Sequence, residues 1–509
     1  MKKLFLITLI VFMALSGTTL NSLAAEEPQY GGVIKEIFSG GPQVLGYYPE
    51  MGPGDHAAAF PALECMMEMS PDREVVPFLA ESVDIDVENL TMTFHVRKGV
   101  KFHDGSDLNA EVVAWNYQLL VDTKKLQFYD MIKRIEIVDE YTMVLHLTDY
   151  HNQLEYSFGW VAILSKKAYE TKGKEWCRTH VVGTGPFEQV EWKRDVSLKW
   201  KKFDGYWQEG RPYLDGIEVV YIPDATVASA MMQAGEADMW VTGVTAKYQK
   251  ELEQKGFIRK SYWSGLPSIL TPNTKDPEGP MAKLKVREAV EYAIDKAAIA
   301  KTIGYGYYTP LKMMHPEGEW AYDADWPGRP YNPEKARKLL AEAGYPKGLK
   351  VKLLAFAAFG GGATAAEAIQ AYLGDVGITV DIDLADPGRY FGSMFGSGWD
   401  DLLLGFCGID YNSLGTIMSW YGHSPRTQMA SYKQTDKIID LSKKSIACRD
   451  EACMKEYSRK IALELGEQAL IIPLFNIPGA HMTQPWVHTN YLEEGFVRWE
   501  THNMWMEKH

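Results

Sequence analysis

Cysteine is scarce in this chain. There are five in 509 residues and no Cys-x-x-Cys pair, so thiol redox chemistry and a thiolate zinc site have no carrier. Five is also odd, and in an oxidising compartment at least one thiol stays outside a disulfide. Cys448 and Cys453 flank Arg449-Asp450-Glu451, an expected turn between helices, and are spaced to close a short bridge; Cys65 and Cys177 are a second candidate pair. No G-x-S-x-G, H-E-x-x-H or G-x-x-x-x-G-K-[ST] is present, so the common serine-hydrolase, zinc-protease and P-loop signatures are missing. Lys and Arg form no stripe interleaved with aromatics, and at a formal charge of −14 a polyanion would meet net repulsion. Nucleic acid is not an expected partner. Beyond the first two dozen residues no apolar run is long enough to cross a bilayer, and short-period repeats and low-complexity tracts are missing too.

The N-terminus reads as a secretory signal. Lys2 and Lys3 supply its basic start, residues 4–15 an apolar run, and Ser22-Leu23-Ala24 a small-x-small cleavage site. The run has roughly half the length of a membrane span. The first cysteine is Cys65, so no lipid anchor is expected at residue 25. Loss of two lysines takes the formal charge to about −16. The expected product is a free periplasmic monomer without cofactor or metal. At this length two or three domains are expected. The 15 Trp and 28 Tyr suit either a large core or a cleft lined by rings.

Alternation marks the strands. Residues 30–38 form a first strand after Gly31-Gly32. Residues 82–96 form a hairpin turning at Glu88-Asn89, and residues 134–147 a second one turning at Asp139-Glu140. From Gly216 onward strands alternate with helices: strands at 217–222, 350–356, 377–384 and 400–406, helices at 224–234 and 333–343, the last with Pro at its first turn and Gly344 at its C-terminus. This βα alternation predicts largely parallel sheets, whose ligand sites lie at strand C-terminal ends. Asp381 and Asp383 alternate with Ile382 and Leu384 and read as the solvent face of a strand rather than a calcium loop. His95 and His103 could meet on a metal only if the first hairpin folded back; exposed strand positions are the simpler reading.

Residues 93–115, TFHVRKGVKFHDGSDLNAEVVAW, form a strand, a turn at His103-Asp104-Gly105, and a helix opening near Asn109, whose side chain can cap the first free N–H groups. This stretch resembles the fingerprint of the family 5 extracellular solute-binding proteins, which capture peptides and related solutes for ABC importers. Four further segments resemble that family in its order: Gly183-Thr184-Gly185-Pro186-Phe187; Gly235-Glu236-Ala237-Asp238; Val286-Arg287-Glu288-Ala289 with Ala293-Ile294-Asp295; and Leu339-Leu340-Ala341-Glu342-Ala343-Gly344-Tyr345. The resemblance implies an α/β periplasmic-binding-protein flytrap of two lobes with an extra inserted domain. Lobe one would take residues 25–72, 183–270 and 476–509, the inserted domain 73–182, and lobe two 271–475. Two crossing strands would form the hinge.

Gly405 to Asn412, GFCGIDYN, follows the strand at 400–406 and so belongs at a strand C-terminal end. It resembles the oligopeptide-binding segment whose aspartate receives the peptide α-ammonium, which Asp410 would do here. A cation withdrawn from water needs such a charged partner; capping of a following helix is the other role open to Asp410. Phe406 stands where that pattern has tryptophan, and one extra residue separates Cys407 from Asp410. Cys407 is either a thiol in the pocket or a small buried apolar residue. The same mapping nominates Tyr47, Trp240, Trp263, Trp420 and Tyr421 as ring neighbours of the solute, each with a core role as its alternative. It also nominates Arg389 or Arg426 for a carboxylate, with a surface ion pair as the alternative. The resulting expectation is a receptor that binds a short peptide and delivers it to a membrane permease, with no bond broken. A non-peptide solute (oligosaccharide or metal chelate), or a secreted hydrolase or chaperone on the same fold, are the other readings.

Overall fold

The computed structural model describes residues 27–70, 74–126, 128–356, 362–406, 421, 429–489 and 501–508; the expected signal segment lies outside them. In chain order the main elements begin with β1 (Val33–Phe38), the hairpin β2 (Ala80–Asp86) and β3 (Thr91–Val96), α1 (Ala110–Asp122), and the hairpin β4 (Ile132–Asp139) and β5 (Thr142–Leu147). A third hairpin, β6 (Phe187–Lys193) and β7 (Ser197–Lys202), leads into β8 (Gly216–Tyr221), α2 (Ala225–Gln233), β9 (Met239–Trp240), α3 (Ala246–Glu253) and the long β10 (Ile258–Pro272). Then come α4 (Leu284–Ala293), α5 (Lys296–Gly304), α6 (Pro333–Glu342), β11 (Leu349–Phe356), α7 (Gly362–Asp375), β12 (Ile378–Ala385), α8 (Pro387–Gly392) and β13 (Leu402–Phe406). Last are α9 (Asp436–Ile446), α10 (Glu451–Glu467) and β14 (Ile472–Thr483).

The main sheet has the order β12-β11-β13-β10-β14-β9-β1-β8-β7-β6, and a separate sheet has the order β2-β3-β5-β4. β11 pairs in parallel with β12 and β13, and β1 with β8 and β9, where strands alternate with helices; the sheet as a whole is mixed rather than largely parallel, because β10, β14 and the hairpin β6–β7 join it antiparallel. Between these groups β10 and β14 pair antiparallel from Ile258 opposite Thr483 to Leu270 opposite Ile472. β14 reaches β9 at one end, while β10 reaches β13 at the other. Both strands therefore belong to both lobes, with register shifts between Tyr262 and Gly265 and between Ser268 and Ile269. Such bulges bend and twist a ladder locally.

Each lobe has an apolar core on both faces of its part of the sheet. In lobe two, α4 to α7 pack on one face through Val286, Val290, Leu340 and Ile369, and α8 to α10 cover the other through Tyr390, Ile438 and Ile461. β13 lies between these cores, which is why residues 402–405 are all buried. The edge strand β12 exposes Asp381 and Asp383 and buries Ile378 and Val380. The small sheet packs on α1 through Phe94, Met143, Leu145 and Tyr117. Asn109 caps α1 by accepting from the Val112 N–H at 3.0 Å. The inserted unit touches lobe two, where Asn152 donates from Nδ2 to the Ser445 carbonyl at 2.7 Å and from its backbone N–H to Ile446 at 3.1 Å.

Two of the sequence motifs meet at one joint. His103 donates its backbone N–H to the Gly183 carbonyl at 3.0 Å and its Nε2–H to the Gly185 carbonyl at 2.9 Å. A Cβ on Gly183 would lie 1.9 Å from the Ala62 carbonyl oxygen, so only glycine permits that approach. Gly105, in the fingerprint's turn, takes φ +77°, the left-handed region glycine enters without a Cβ penalty. Beside the joint the buried Glu64 carboxylate accepts from Thr184 Oγ1 (2.9 Å), Tyr206 OH (2.9 Å) and Trp207 Nε1 (3.0 Å).

The Val-Arg-Glu-Ala motif closes a helix end. The last carbonyls of an α-helix have no partner within it. Those of Gly466 and Glu467 at the end of α10 accept from Arg329 at 2.7 and 2.9 Å, and Gln468 accepts from Arg287 Nε and Nη2 at 3.0 and 2.8 Å. Arg329 also pairs with Glu288 and Glu291, both at 3.1 Å, and Lys296 holds Glu291 at 2.8 Å. Cys448 and Cys453 form the short disulfide, Cα to Cα 5.6 Å. The other candidate bridge is not made: the Cys65 thiol reaches the Trp160 carbonyl at 3.4 Å, and Cys177 is a buried thiol.

Arg329→Met leaves the buried Glu291 carboxylate with Lys296 alone of its two cations and takes the arginine donors from two helix-end carbonyls, and is expected to cost about 3 kcal/mol of lobe-two stability by urea unfolding; Arg329→Lys restores only part, lacking the fork. A second prediction concerns pH. Burial, with Asp238 adding to it, raises the Glu36 carboxyl to about 8 from its usual 4.5. The native state then holds a proton that the unfolded chain has released, so stability present below pH 4.5 is lost as pH rises towards 8. Glu36→Gln is expected to unfold at the same urea concentration as the parent at pH 4.5 and at a higher one at pH 8.5. On the acid side, burial pushes His315 down to about 3 from 6.5. The unfolded chain takes up that proton first, so stability falls as pH drops below 6.5, and His315→Gln should flatten the fall.

Candidate functional site

The C-terminal ends of β11, β12 and β13 lie along one edge of the lobe-two sheet, since the three strands are parallel. β13 runs antiparallel to β10, with Phe406 opposite Ser268. Residues preceding Ser268 on β10 lead back to lobe one, so this edge faces the crossing strands. That is where open parallel sheets hold ligands.

The edge is built from rings. β11 ends at Phe356 and β13 at Phe406. β12 is followed by α8, started by Asp386, whose side chain accepts from the Arg389 N–H at 3.0 Å, and by Pro387 at its first position. Tyr390 points into the core and donates its OH to the Leu404 carbonyl at 3.2 Å. A Cβ on Gly405 would lie 2.5 Å from that hydroxyl, so glycine lets the ring settle against β13. Tyr390 stacks on Phe356 at 5.3 Å, and Phe391 meets Phe356 at 5.9 Å and Phe406 at 6.5 Å, both edge to face. Phe395 stacks on Phe391 at 6.5 Å and 4°. A small cavity beside the rings is lined by Ser268, Phe356, Ala365, Gly405, Phe406 and Ile477, which brings both crossing strands to the same place.

Of the residues nominated from sequence, Phe406 stands on this edge. Tyr421 is fully buried under it, among Leu403, Tyr390 and Tyr432. Arg389 flanks it, its guanidinium paired with both oxygens of Asp383 at 2.7 and 2.6 Å and with the Leu384 carbonyl. That is the surface ion pair rather than an open carboxylate receptor. Trp240 is 1% exposed in the core under α2 and α3, its Nε1–H bonded to the Thr242 carbonyl at 2.8 Å. Tyr47 is buried against Val44 and Cys177, with Lys174 over its ring at 4.8 Å, away from the edge rings. Trp263 lies on β10 near the first register shift. Cys407, Asp410, Trp420 and Arg426 lie outside the described residues.

Phe356, Phe391, Phe395, Ser268 and Ile477 were not found from sequence. The signal for the first three was available: the rule that drew attention to the end of β13 applies equally to the ends of β11 and β12. His95 and His103 do not converge; His95 meets Asp84 at 3.0 Å, and His103 is bound at the glycine joint. Among the described residues no group of three or more His, Cys, Asp or Glu is placed to hold a metal ion, and no helix is long and apolar enough to cross a membrane. A wider groove, about 540 Å³, lies at the opposite end of the sheet order beside β6. Its Gln189 is tied to Val181 and Thr179 and its Arg194 to Gln43.

The chain is similar to known proteins throughout. The glutathione-binding protein GsiB of Salmonella choleraesuis is 32% identical over 345 residues, a match spanning 65% of this chain and 65% of that protein. Among solved structures, the periplasmic binding protein DppA of Helicobacter pylori, in complex with the peptide STSA, superposes with a TM-score of 0.82 at 23% identity, covering 94% of this chain and 99% of that one. AgaA of Agrobacterium tumefaciens R10, in complex with agropinic acid, gives 0.80 at 26% identity with the same coverages. These likenesses extend to the two-lobe architecture. The model of the bacterial extracellular solute-binding proteins, family 5 Middle, matches residues 74–428, and the chain belongs to that family.

Proposed function

We propose that this chain is the periplasmic substrate-binding protein of an ABC importer, which captures a short peptide between its lobes and hands it to the membrane permease. The observation that carries the reading is the pair β10 and β14, two continuous strands shared by both lobes beside a row of parallel strand ends. Bulges within such a pair are places where a change in twist swings one lobe against the other while the backbone hydrogen bonds persist. The contacts of Asn152 with Ser445 and Ile446 are of the kind that hold a closed form. In this reading the work done is binding and release, with no bond broken.

In this reading lobe one comprises residues 25–72, 183–270 and 476–509, the inserted domain 73–182, and lobe two 271–475. Asp410, four residues beyond the end of β13, receives the peptide ammonium, and Phe406 lies beside the chain of the peptide. Backbone pairing along strand edges binds peptides with little regard to side-chain identity. Family relatives support the class: GsiB is named for glutathione, itself a short peptide, and DppA holds a tetrapeptide. The agropinic acid of AgaA favours a second reading, a non-peptide solute in the same cleft.

Native mass spectrometry of the protein taken from its own periplasm is expected to show a ladder of peptide masses, whereas a single non-peptide mass overturns the peptide assignment. Titration separates the two readings further. Asp410→Asn leaves a buried ammonium without its counter-charge, so affinity for Ala-Ala-Ala is expected to fall about a hundredfold. A change below threefold overturns the ammonium role.

A further inference from the structure

We propose that the cleft contains a subsite for an aromatic side chain of the captured peptide, formed by Phe391 and Phe395 against Phe356 and Phe406. The proposal rests on the receptor reading above and adds a preference that backbone pairing alone does not supply.

Phe391 and Phe395 are four residues apart along consecutive turns, α8 and the wider turn at Ser393–Ser397, a spacing that brings side chains onto one face. Both are substantially exposed, at 37% and 40%. Side chains of this size are normally buried, and exposed rings beside a ligand edge mark a binding surface. The cluster is continuous with the site: Phe391 meets Phe406, which lines the small cavity with Ser268 and Ile477 of the crossing strands.

The geometry selects a ring. Phe391 and Phe395 are parallel within 4°, while Phe391 stands edge-on to Phe356 (63°), Tyr390 (83°) and Phe406 (83°). Aromatic pairs are favourable in just these offset-stacked and edge-to-face forms, at centroid distances of about 4.5–7 Å. A guest ring laid on this array extends it. The array is also held firmly from below, because Tyr390 is bonded to the Leu404 carbonyl and seated at Gly405. A preformed surface loses little side-chain entropy on binding. Arg389, on the same helix, is neutralised by Asp383 through two hydrogen bonds.

The test is titration of the intact protein with Ala-Ala-Ala and Ala-Phe-Ala, comparing the parent with the double variant Phe391→Ala/Phe395→Ala and with Phe391→Leu. The parent is expected to bind Ala-Phe-Ala about tenfold tighter than Ala-Ala-Ala. The double variant should lose that ratio, binding the two peptides within twofold of each other, and Phe391→Leu should fall between. Equal affinities in the parent, or a ratio unchanged in the double variant, overturn the subsite. Failure of both peptides to bind sinks the peptide reading instead. The subsite is then decided with 1-anilinonaphthalene-8-sulfonate, whose fluorescence in the parent must drop at least threefold in the double variant; equal fluorescence overturns the proposal.

Discussion

Backbone groups taken from water have to be paired, and this requirement is met between the lobes by one long antiparallel ladder. β10 and β14 satisfy each other's N–H and C=O groups through both cores, then hand their outer edges to β13 in one lobe and β9 in the other. Because the ladder is shared, neither lobe finishes its sheet without the other's strands. The spatial relation of the lobes is thereby reduced to the twist and bulges of two strands. A pair of unstructured linkers would leave that relation undetermined, whereas a continuous sheet without bulges would resist bending.

Polar joints hold the remaining parts in register. Glu64 is surrounded by three donors, and the arginines at the end of α10 supply donors to carbonyls that the helix cannot pair itself. Buried charges of this kind are tolerated when hydrogen-bonded and costly when stripped of a partner. It is notable where the motifs fall: the fingerprint histidine, the Gly-Thr-Gly segment and the Val-Arg-Glu-Ala segment all serve such joints. They contact the backbone and the side chains of Glu64 and Arg329, so in this chain these motif residues serve the architecture. Strand ends are differently placed. Their side chains emerge from a rigid sheet, yet each is followed by a loop or short helix whose residues are not constrained by pairing.

Much of the architecture was legible before any coordinates. The hairpins β2–β3 and β4–β5, the capped helix after Asn109, and the strands β11, β12 and β13 all stand within a few residues of their alternation patterns, because period-two burial on a half-covered sheet leaves a direct trace in the sequence. The site was legible only in part. Phe406 was found since it ends a strand, and the same logic extended to β11 and β12 leads to Phe356 and Phe391. Trp240 and Tyr47 illustrate the opposite case. Both are aromatic and both were nominated as neighbours of the solute, yet one is enclosed under α2 and α3 and the other against Cys177.

The sequence by itself determined the secondary elements, the α/β class and the family, because these follow from local periodicity, turn chemistry and motifs that make specific backbone contacts. Only the tertiary structure decided which aromatics are core and which are surface, how Arg389 is engaged, and that two strands run through both lobes. An aromatic residue carries the same hydrophobic signal in either place. Its exposure depends on which elements are packed over it, and that is set by long-range pairings such as Ile258 with Thr483, more than two hundred residues apart.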